Sequence, residues 1–164
     1  MAELPFDLVA FLDEPLRPAS VATVGERGGP ALGSLWYIFE ERRFWFTSRD
    51  GPGPFLLAAR AGRDVAVMVE TFEPPEQIHL LRATGPARIE PRDAARIERV
   101  YRRYLGHNLD EWPDIFRARL HDREFVLWTV LAQRGLVVTF PNFLPREFRW
   151  SEPGPFLDRL LANN

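Results

Sequence analysis

The chain has 164 residues, of which 46% are hydrophobic, so it is long enough for one domain with a substantial core. It contains no cysteine and all 21 basic residues are arginines, which excludes disulfides, thiol catalysis and lysine Schiff-base chemistry. The net charge of -2 argues against non-specific binding to nucleic acid. Because we find neither a signal-peptide pattern nor an apolar run of about 20 residues, we expect a cytoplasmic protein without membrane contact.

The first third of the sequence predicts a short helix followed by three strands. Apolar residues at helical spacing indicate a helix over 8–12, and small and β-branched residues indicate a strand over 20–24. A double-glycine turn leads into a second strand over 31–39, which is apolar on both faces and therefore expected to be buried on both. A third strand over 43–47 pairs with it as a hairpin.

The middle of the chain predicts a helix and two more strands. After a break rich in glycine and proline, residues 55–61 are expected to form a short helix. The continuous apolar run 65–69 is typical of a central strand. Residues 78–89 predict a longer strand that is interrupted at 85–86, where glycine precedes proline.

The period then changes to that of a helix. Over 97–105 apolar residues recur every three or four positions, with arginines between them, which predicts an amphipathic helix. Tyr101 and Tyr104 lie on its apolar stripe, so we expect them in the core. A second helical piece is expected over 114–120.

The last part of the chain predicts a further hairpin and an irregular tail. Strands over 125–131 and 136–140 are expected to pair around 133–135, and the tail, 141–164, to pack on the body of the domain or on a partner chain. The order of elements lacks strand–helix–strand alternation. We therefore expect a mainly β fold with flanking helices, a small antiparallel barrel in a single domain spanning 1–164.

Common catalytic motifs are missing from the sequence. His79, His107 and His121 are far apart and form neither an HxH nor an HExxH pair, so we expect no metal site. Neither Ser34 nor Ser48 lies in a GxSxG elbow, and the chain has no glycine-rich nucleotide loop of the GxGxxG or Walker type.

The aromatic hairpin of residues 31–49 is the most informative feature. Its two apolar strands carry three consecutive aromatic or bulky residues each, and the second ends in two hydroxyls and a guanidinium. Aromatic side chains suit a flat ring, and hydroxyls with an arginine suit an anionic tail.

At this point the sequence resembles the pyridoxamine-phosphate-oxidase-like family of flavin-binding split barrels, and within it the shorter branch of flavin- and deazaflavin-dependent reductases. The resemblance extends from about residue 21 to 140. It is carried by short motifs in a specific order: Ala22-Thr23-Val24, Pro30, Leu35-Trp36-Tyr37, Phe46-Thr47-Ser48-Arg49, Gly62-Arg63-Asp64-Val65-Ala66-Val67, Thr84-Gly85-Pro86-Ala87-Arg88-Ile89 and Arg103-Tyr104-Leu105-Gly106.

The resemblance implies a six-stranded antiparallel Greek-key split barrel that forms a homodimer with FMN at the interface. It further implies an oxidoreductase acting on a small organic substrate. The cofactor-binding residues that it implies lie on the second and third strands: Ser34, Leu35, Trp36 and Tyr37 beside the ring, with Thr47, Ser48 and Arg49 toward the phosphate.

The sequence departs from this family where the phosphate is usually held. Related flavin binders have a lysine, often preceded by arginine, after the third strand, but residues 51–57 contain no basic group and include Phe55. We expect Arg49 or Arg60 to take over the phosphate. Two alternatives stay open: a deazaflavin coenzyme with its longer anionic tail near these arginines, or a non-redox binding protein without flavin whose pocket holds another apolar ligand, haem included.

Overall fold

The computed structural model describes residues 8–14, 17–74, 77–139 and 146–149. Its helices are α1 (Leu8–Asp13), α2 (Pro54–Arg60), α3 (Ala94–Leu105) and α4 (Asp114–Arg119), with a 3-10 turn at Leu109–Glu111. Its strands are β1 (Ala19–Val24), β2 (Pro30–Leu35), β3 (Ile38–Glu40), β4 (Arg43–Arg49), β5 (Asp64–Glu73), β6 (Gln77–Glu90), β7 (Phe125–Leu131), β8 (Arg134–Thr139) and β9 (Arg146–Arg149).

The strands form one antiparallel sheet whose main path runs β2-β1-β5-β6-β7-β4-β3, with β8 on β6 and β9 on β8. The expectation of a mainly β, antiparallel fold with flanking helices is confirmed. Among the described residues no hydrogen-bonded ladder joins β2 to β3, so the sheet curls without closing into a barrel. The tail contributes β9, and the rest of 140–164 lies outside the described residues.

The predicted strand over 31–39 is two strands, because the chain changes partners at Trp36 and Tyr37. β2 pairs with β1, whereas β3 pairs with β4. The backbone N–H of Tyr37 donates to the hydroxyl of Tyr104 at 3.2 Å instead of to a neighbouring strand. The expected burial of both faces was also wrong: β2 lies at the end of the path, and Leu32 on its outer face is 78% exposed.

The predicted hairpin over 125–140 was wrong as well, since β7 and β8 do not pair with each other. Both pair with the same edge of β6. Gly135 lies five positions after Val130, whereas their partners Ala83 and Ala87 are four positions apart, so the register shifts by one residue as at a β-bulge. Strand β6 continues through Gly85, which was expected to interrupt it.

Two apolar clusters hold the sheet and helices together. The larger joins α1 and α2 to the inner face of the curled sheet and includes Tyr37, Phe44, Phe46 and Trp128. The smaller packs α3, the 3-10 turn and α4 against β3 and β4, through buried residues that include Trp45, Ile97, Val100, Tyr101, Trp112 and Leu127. The amphipathic helix predicted from residue 97 is α3, whose N-terminus is capped by Asp93 accepting from the Arg96 N–H at 3.1 Å. This packing places Tyr101 beside the ends of β2 and β4.

Candidate functional site

Two adjoining cavities open where the ends of β2 and β4 meet α3 and α4. The aromatic cavity, of about 250 Å³, is lined by Ser34, Leu35, Trp36, Thr47, Tyr101, Phe116, Arg119 and Phe125. The polar cavity, of about 470 Å³, is lined by Thr47, Ser48, Arg49, Ile115, Ala118, Arg119, Asp122 and Phe125. Three residues, Thr47, Arg119 and Phe125, border both, so one elongated ligand could occupy the two cavities together.

The wall of the aromatic cavity is fixed by ring contacts within the chain. Trp36 stacks on Tyr104 with centroids 4.7 Å apart and on Phe116 at 5.1 Å. Tyr101 meets Phe116 edge to face at 5.2 Å. Such contacts stabilise the rings beyond the burial of their area, so this wall is formed before any ligand enters.

Arg119, the last residue of α4, stands at the boundary of the two cavities. Its guanidinium carbon lies 4.9 Å from the centroids of both Phe116 and Phe125, within cation–π range. In the part of the chain that the structure describes, it makes no ion pair with a carboxylate. Arg117, two residues earlier on the same helix, pairs with Asp114 instead. Arg119 therefore has the charge and the donors to meet an anionic ligand.

Two hydroxyls of the aromatic cavity are buried without a hydrogen-bond partner among the described residues, Oγ1 of Thr47 and Oη of Tyr101. Burial raises the pKa of Tyr101, and the nearby Arg119 acts in the opposite direction. The side chains of Thr47 and Arg119 also interact with the hydroxyl of Tyr101 and act to lower its pKa, although no contact between these groups has the geometry of a well-formed hydrogen bond. A buried hydroxyl without a well-formed hydrogen bond costs about 1–3 kcal/mol of stability.

Several of the polar groups that line the polar cavity already have a hydrogen-bond or ion-pair partner. Oγ of Ser48 accepts a hydrogen bond from Nε1 of Trp128 at 3.0 Å, which leaves its own hydroxyl proton to be donated. Arg49 forms an exposed ion pair with Glu124. The carboxylate of Asp122 accepts from the backbone N–H of Glu124 at 2.9 Å and so caps the turn before β7.

Six of the residues predicted from sequence line these cavities: Ser34, Leu35, Trp36, Thr47, Ser48 and Arg49. The elements bring them together because the ends of β2 and β4 converge on the same side of α4. Their role in binding stays a prediction.

Tyr37 and Arg60 do not line either cavity. Tyr37 is fully buried, and its hydroxyl donates to the carbonyl of Leu12 at 3.0 Å and accepts from Arg103 at 3.3 Å. Its side chain alternates away from Trp36 and points into the core, so it cannot contact a ligand in these cavities. Arg60 pairs with Asp50 and donates to the carbonyl of Gly51 at 2.8 Å.

Phe55, the residue found where a basic group was expected, packs inward. Its ring is parallel to that of Trp128, with centroids 6.0 Å apart, and a Cβ built on Gly33 would lie 3.0 Å from its edge. Phe55 is therefore part of the core beneath β2 and is not among the residues that line the polar cavity.

Sequence reasoning missed the contribution of the helices to this site. Tyr101 was assigned to the core alone, and Phe116, Arg119 and Phe125 were not singled out. One signal was available: Phe116 and Arg119 are three residues apart, which places them on one face of a helix.

Neither a metal-binding cluster nor a membrane-spanning helix is found among the described residues. They contain no group of three or more histidine or acidic side chains that could hold a metal ion. None of the helices in the described ranges is long and apolar enough to cross a bilayer.

No protein-family model matches this sequence, and no curated protein matches it either. Solved structures do. A conserved hypothetical protein from Mycobacterium tuberculosis is similar at a TM-score of 0.64 and 18% identity, covering 91% of this chain and 86% of its own. A protein of the pyridoxine phosphate oxidase family from Clostridium acetobutylicum, related to general stress protein 26 of B. subtilis, is similar at 0.55 and 15% identity, with 82% and 87% covered.

An F420 reductase is similar at a TM-score of 0.54 and 20% identity, covering 78% of this chain and 94% of its own. Haem-binding proteins share the fold too, among them the haem storage protein of Vibrio cholerae at 0.57 and 16% identity, with 84% and 95% covered. The chain therefore has the fold of the pyridoxamine-phosphate-oxidase-like split barrels, as its motifs implied. Proteins of this fold include a deazaflavin reductase and haem binders, so the fold leaves the cofactor open.

Proposed function

We propose that this protein binds a flavin, FMN, across the aromatic and polar cavities and carries out redox chemistry on a small organic molecule. The observation that carries the proposal is the junction of the two cavities. A cavity lined mainly by aromatic rings shares lining residues with a second cavity, whose lining includes two hydroxyls and two arginines beside apolar residues and Asp122. This matches the shape and polarity of a flat ring with an anionic tail.

The ring end of the site fits the isoalloxazine system. Leu35, Trp36, Phe116 and Phe125 supply apolar and aromatic surface, and ligand pockets are mostly of this character. Trp36 is held in place by its stacking on two rings of its own chain. These residues would orient the ring and exclude water from it.

The residues at the polar end fit a phosphate or another anion. Ser48 can donate its hydroxyl proton, and two guanidiniums, those of Arg49 and Arg119, border the cavity. The ion pair of Arg49 with Glu124 is exposed on both sides, and such pairs contribute at most about 1 kcal/mol. A phosphate could therefore compete with Glu124 for this arginine.

A bound flavin supplies the hydride-transfer chemistry, and the protein supplies orientation and hydrogen bonds. Because burial raises the pKa of Tyr101, its hydroxyl stays protonated at neutral pH, and the residue forms part of the wall of the aromatic cavity. We assign no general acid or base to the chain.

We also propose that a second copy of the chain covers the open side of the site. Leu32 and Ser34 lie on the same outer face of β2, and Leu32 is 78% exposed. Ile115 on the rim of the polar cavity is 57% exposed. Burying these apolar side chains against a partner would stabilise a homodimer and close the site.

Two other ligands are alternatives to FMN for this site. The likeness to an F420 reductase favours a deazaflavin coenzyme, whose longer anionic tail would extend beyond the polar cavity. The likeness to haem proteins favours a non-redox, haem-binding role. Against haem, the described residues that line the two cavities include no histidine or methionine, and Tyr101 is the one among them of a type that ligates haem iron.

Parallel titrations of the purified protein with FMN, the deazaflavin coenzyme and haem test the proposal. We expect FMN to bind with a dissociation constant in the micromolar range or tighter, and more tightly than the other two. Preferential binding of the deazaflavin would replace FMN with that coenzyme. A Soret band with haem and no binding of either flavin would contradict the redox proposal.

A further inference from the structure

We infer that Arg119 on α4 binds the anionic group of the ligand, in the role that the sequence pointed to for Arg49 or Arg60. For FMN this group is the phosphate. The inference rests on the proposed function for the identity of the ligand. Binding of an anion by Arg119 can be measured separately.

The two arginines expected from sequence are poorly placed for this role. Arg60 lies outside the lining of both cavities, and its guanidinium is occupied by Asp50 and by the carbonyl of Gly51. Arg49 borders the polar cavity but is paired with Glu124. A phosphate would have to displace a carboxylate from either one.

Arg119 differs from Arg49 and Arg60 because it lines both cavities and has no carboxylate partner among the described residues. Its guanidinium is held between Phe116 and Phe125 at 4.9 Å from each ring. A guanidinium whose position is fixed by aromatic stacking keeps its fork of N–H donors for a planar or tetrahedral anion. Less side-chain entropy is then lost when the anion binds.

Neutral hydroxyls surround this cation. Thr47 borders both cavities together with Arg119, and its Oγ1 has no well-formed hydrogen bond within the described part of the chain. The same holds for the hydroxyl of Tyr101, a residue that is only 3% exposed. Ser48 retains a donor toward the polar cavity. The hydroxyl of Tyr101 interacts with the side chains of Thr47 and Arg119, and the hydroxyl oxygens of Thr47 and Tyr101 are buried, so the donors left for the polar cavity are the guanidinium of Arg119 and the hydroxyl of Ser48. An oxyanion would supply the acceptor for these two donors.

The acidic residue on this lining does not oppose the assignment. Asp122 borders the polar cavity, but its carboxylate is engaged by the backbone N–H of Glu124 at 2.9 Å. Glu124 in turn is engaged by Arg49. Among the described residues neither of these carboxylates forms an ion pair with Arg119, so its guanidinium is left to the ligand.

The test compares FMN with riboflavin, which has the same ring but no phosphate. Dissociation constants are measured by flavin fluorescence for the wild-type chain, Arg119→Gln, Arg119→Lys and the matched control Arg117→Gln. Arg117 lies on the same short helix but outside both linings and is paired with Asp114. Thermal unfolding of each variant shows whether it is folded, and a titration with inorganic pyrophosphate measures anion binding without a flavin.

We expect Arg119→Gln to weaken FMN binding by about tenfold to a hundredfold, the equivalent of one charge-assisted hydrogen bond. Riboflavin binding should change less than threefold, Arg119→Lys should recover part of the loss, and Arg117→Gln should bind both flavins as the wild type does. An equal loss of FMN and riboflavin, or an unchanged affinity for FMN, would overturn the inference. If the wild type binds neither flavin, the proposed function fails. Pyrophosphate then decides the inference alone: binding that is weakened in Arg119→Gln supports it, and binding that is unchanged, or absent from the wild type, overturns it.

Discussion

Thr47 and Ser48 are neighbours on β4, but their hydroxyl groups differ in hydrogen bonding. Oγ of Ser48 accepts from the buried indole N–H of Trp128, whereas Oγ1 of Thr47 is buried without a partner among the described residues. A buried polar group stabilises the fold only if it is hydrogen-bonded. The first hydroxyl therefore stabilises the protein, whereas the second, buried without a well-formed hydrogen bond, lowers its stability.

Substituting these two residues in the ligand-free protein should change stability in opposite directions. We expect Thr47→Val to raise the free energy of unfolding by about 1 kcal/mol, because it removes an unsatisfied hydroxyl and keeps the shape. Ser48→Ala should lower it by about 1–3 kcal/mol, since the N–H of Trp128 loses its acceptor. Urea denaturation measures both, and a Thr47→Val variant less stable than the wild type would show that this hydroxyl is satisfied.

Tyr37 gives the protein a sensitivity to alkaline pH. Burial raises its pKa well above the ordinary value of about 10, although the neighbouring Arg103 acts in the opposite direction. Above pH 10 the unfolded chain therefore loses this proton before the folded chain does. Stability then falls as the pH rises, because the unfolded state binds fewer protons.

Replacing Tyr37 with phenylalanine should reduce this loss. At pH 11 one such tyrosine lowers the free energy of unfolding by about 1.4 kcal/mol relative to neutral pH. We expect Tyr37→Phe to be less stable than the wild type at pH 7, since the carbonyl of Leu12 loses its donor, but to lose less further stability between pH 9 and 11. Burial also raises the pKa of Tyr101 and Tyr104, so part of the alkaline loss remains in the variant. Parallel curves from urea unfolding across this range would contradict the assignment.

At the scale of elements, the close approach of the β7–β8 segment to β6 depends on a single glycine, Gly85. A Cβ built on Gly85 would lie 1.8 Å from the carbonyl oxygen of Leu131, which is far inside van der Waals contact. The bulge after Leu131 brings this carbonyl against β6. The sheet can bend here only because residue 85 has no side chain.

Alanine at this position should therefore be severely destabilising. We expect Gly85→Ala to lower the free energy of unfolding by at least about 3 kcal/mol, as when a rigid backbone has no room for an added methyl group. Gly29→Ala is the control, because a Cβ there meets nothing within 4 Å, and it should stay within about 1 kcal/mol of the wild type. Equal stability of the two variants, measured by chemical denaturation, would show that β6 shifts to accommodate the methyl group.

The elements that the sequence predicted well are those with one strong period. The amphipathic spacing from Ile97 to Leu105 gave α3, and the apolar run from 65 gave β5. The two failures in strand pairing, over 31–39 and over 125–140, occurred where apolar residues continue while hydrogen-bond partners change. Nothing in Trp36 and Tyr37 as residue types indicates that the chain leaves one ladder for another, since the hydroxyl of Tyr104, 67 residues away, replaces the strand partner.

The site was predictable in part. Ser34 to Trp36 and Thr47 to Arg49 were expected together because the resemblance to the flavin-binding family implied them, and the structure places them on adjoining cavities. Tyr37 was included for the same reason, but its side chain is buried in the core. Arg119 was not expected, because its position depends on how α4 packs against β2 and β4.

At the scale of the whole molecule, the proposed homodimer is the feature that makes the site complete. Leu32 and Ile115 expose apolar side chains beside the cavities. We expect the wild type to sediment as a particle of twice the chain mass of 19.0 kDa. Leu32→Glu should sediment as a folded monomer, because a charge buried at the centre of an apolar interface is not compensated. A wild-type monomer, or a Leu32→Glu dimer of unchanged stability, would contradict the proposed interface.

The central claim is that a flavin occupies the two cavities, and the visible absorption spectrum of the purified protein before and after addition of FMN tests it most directly. We predict a flavin band that stays with the protein through gel filtration, at one FMN per chain, with a shape shifted from that of free FMN because the ring lies among aromatic side chains. A protein that remains colourless after FMN is added and removed by gel filtration would contradict the account.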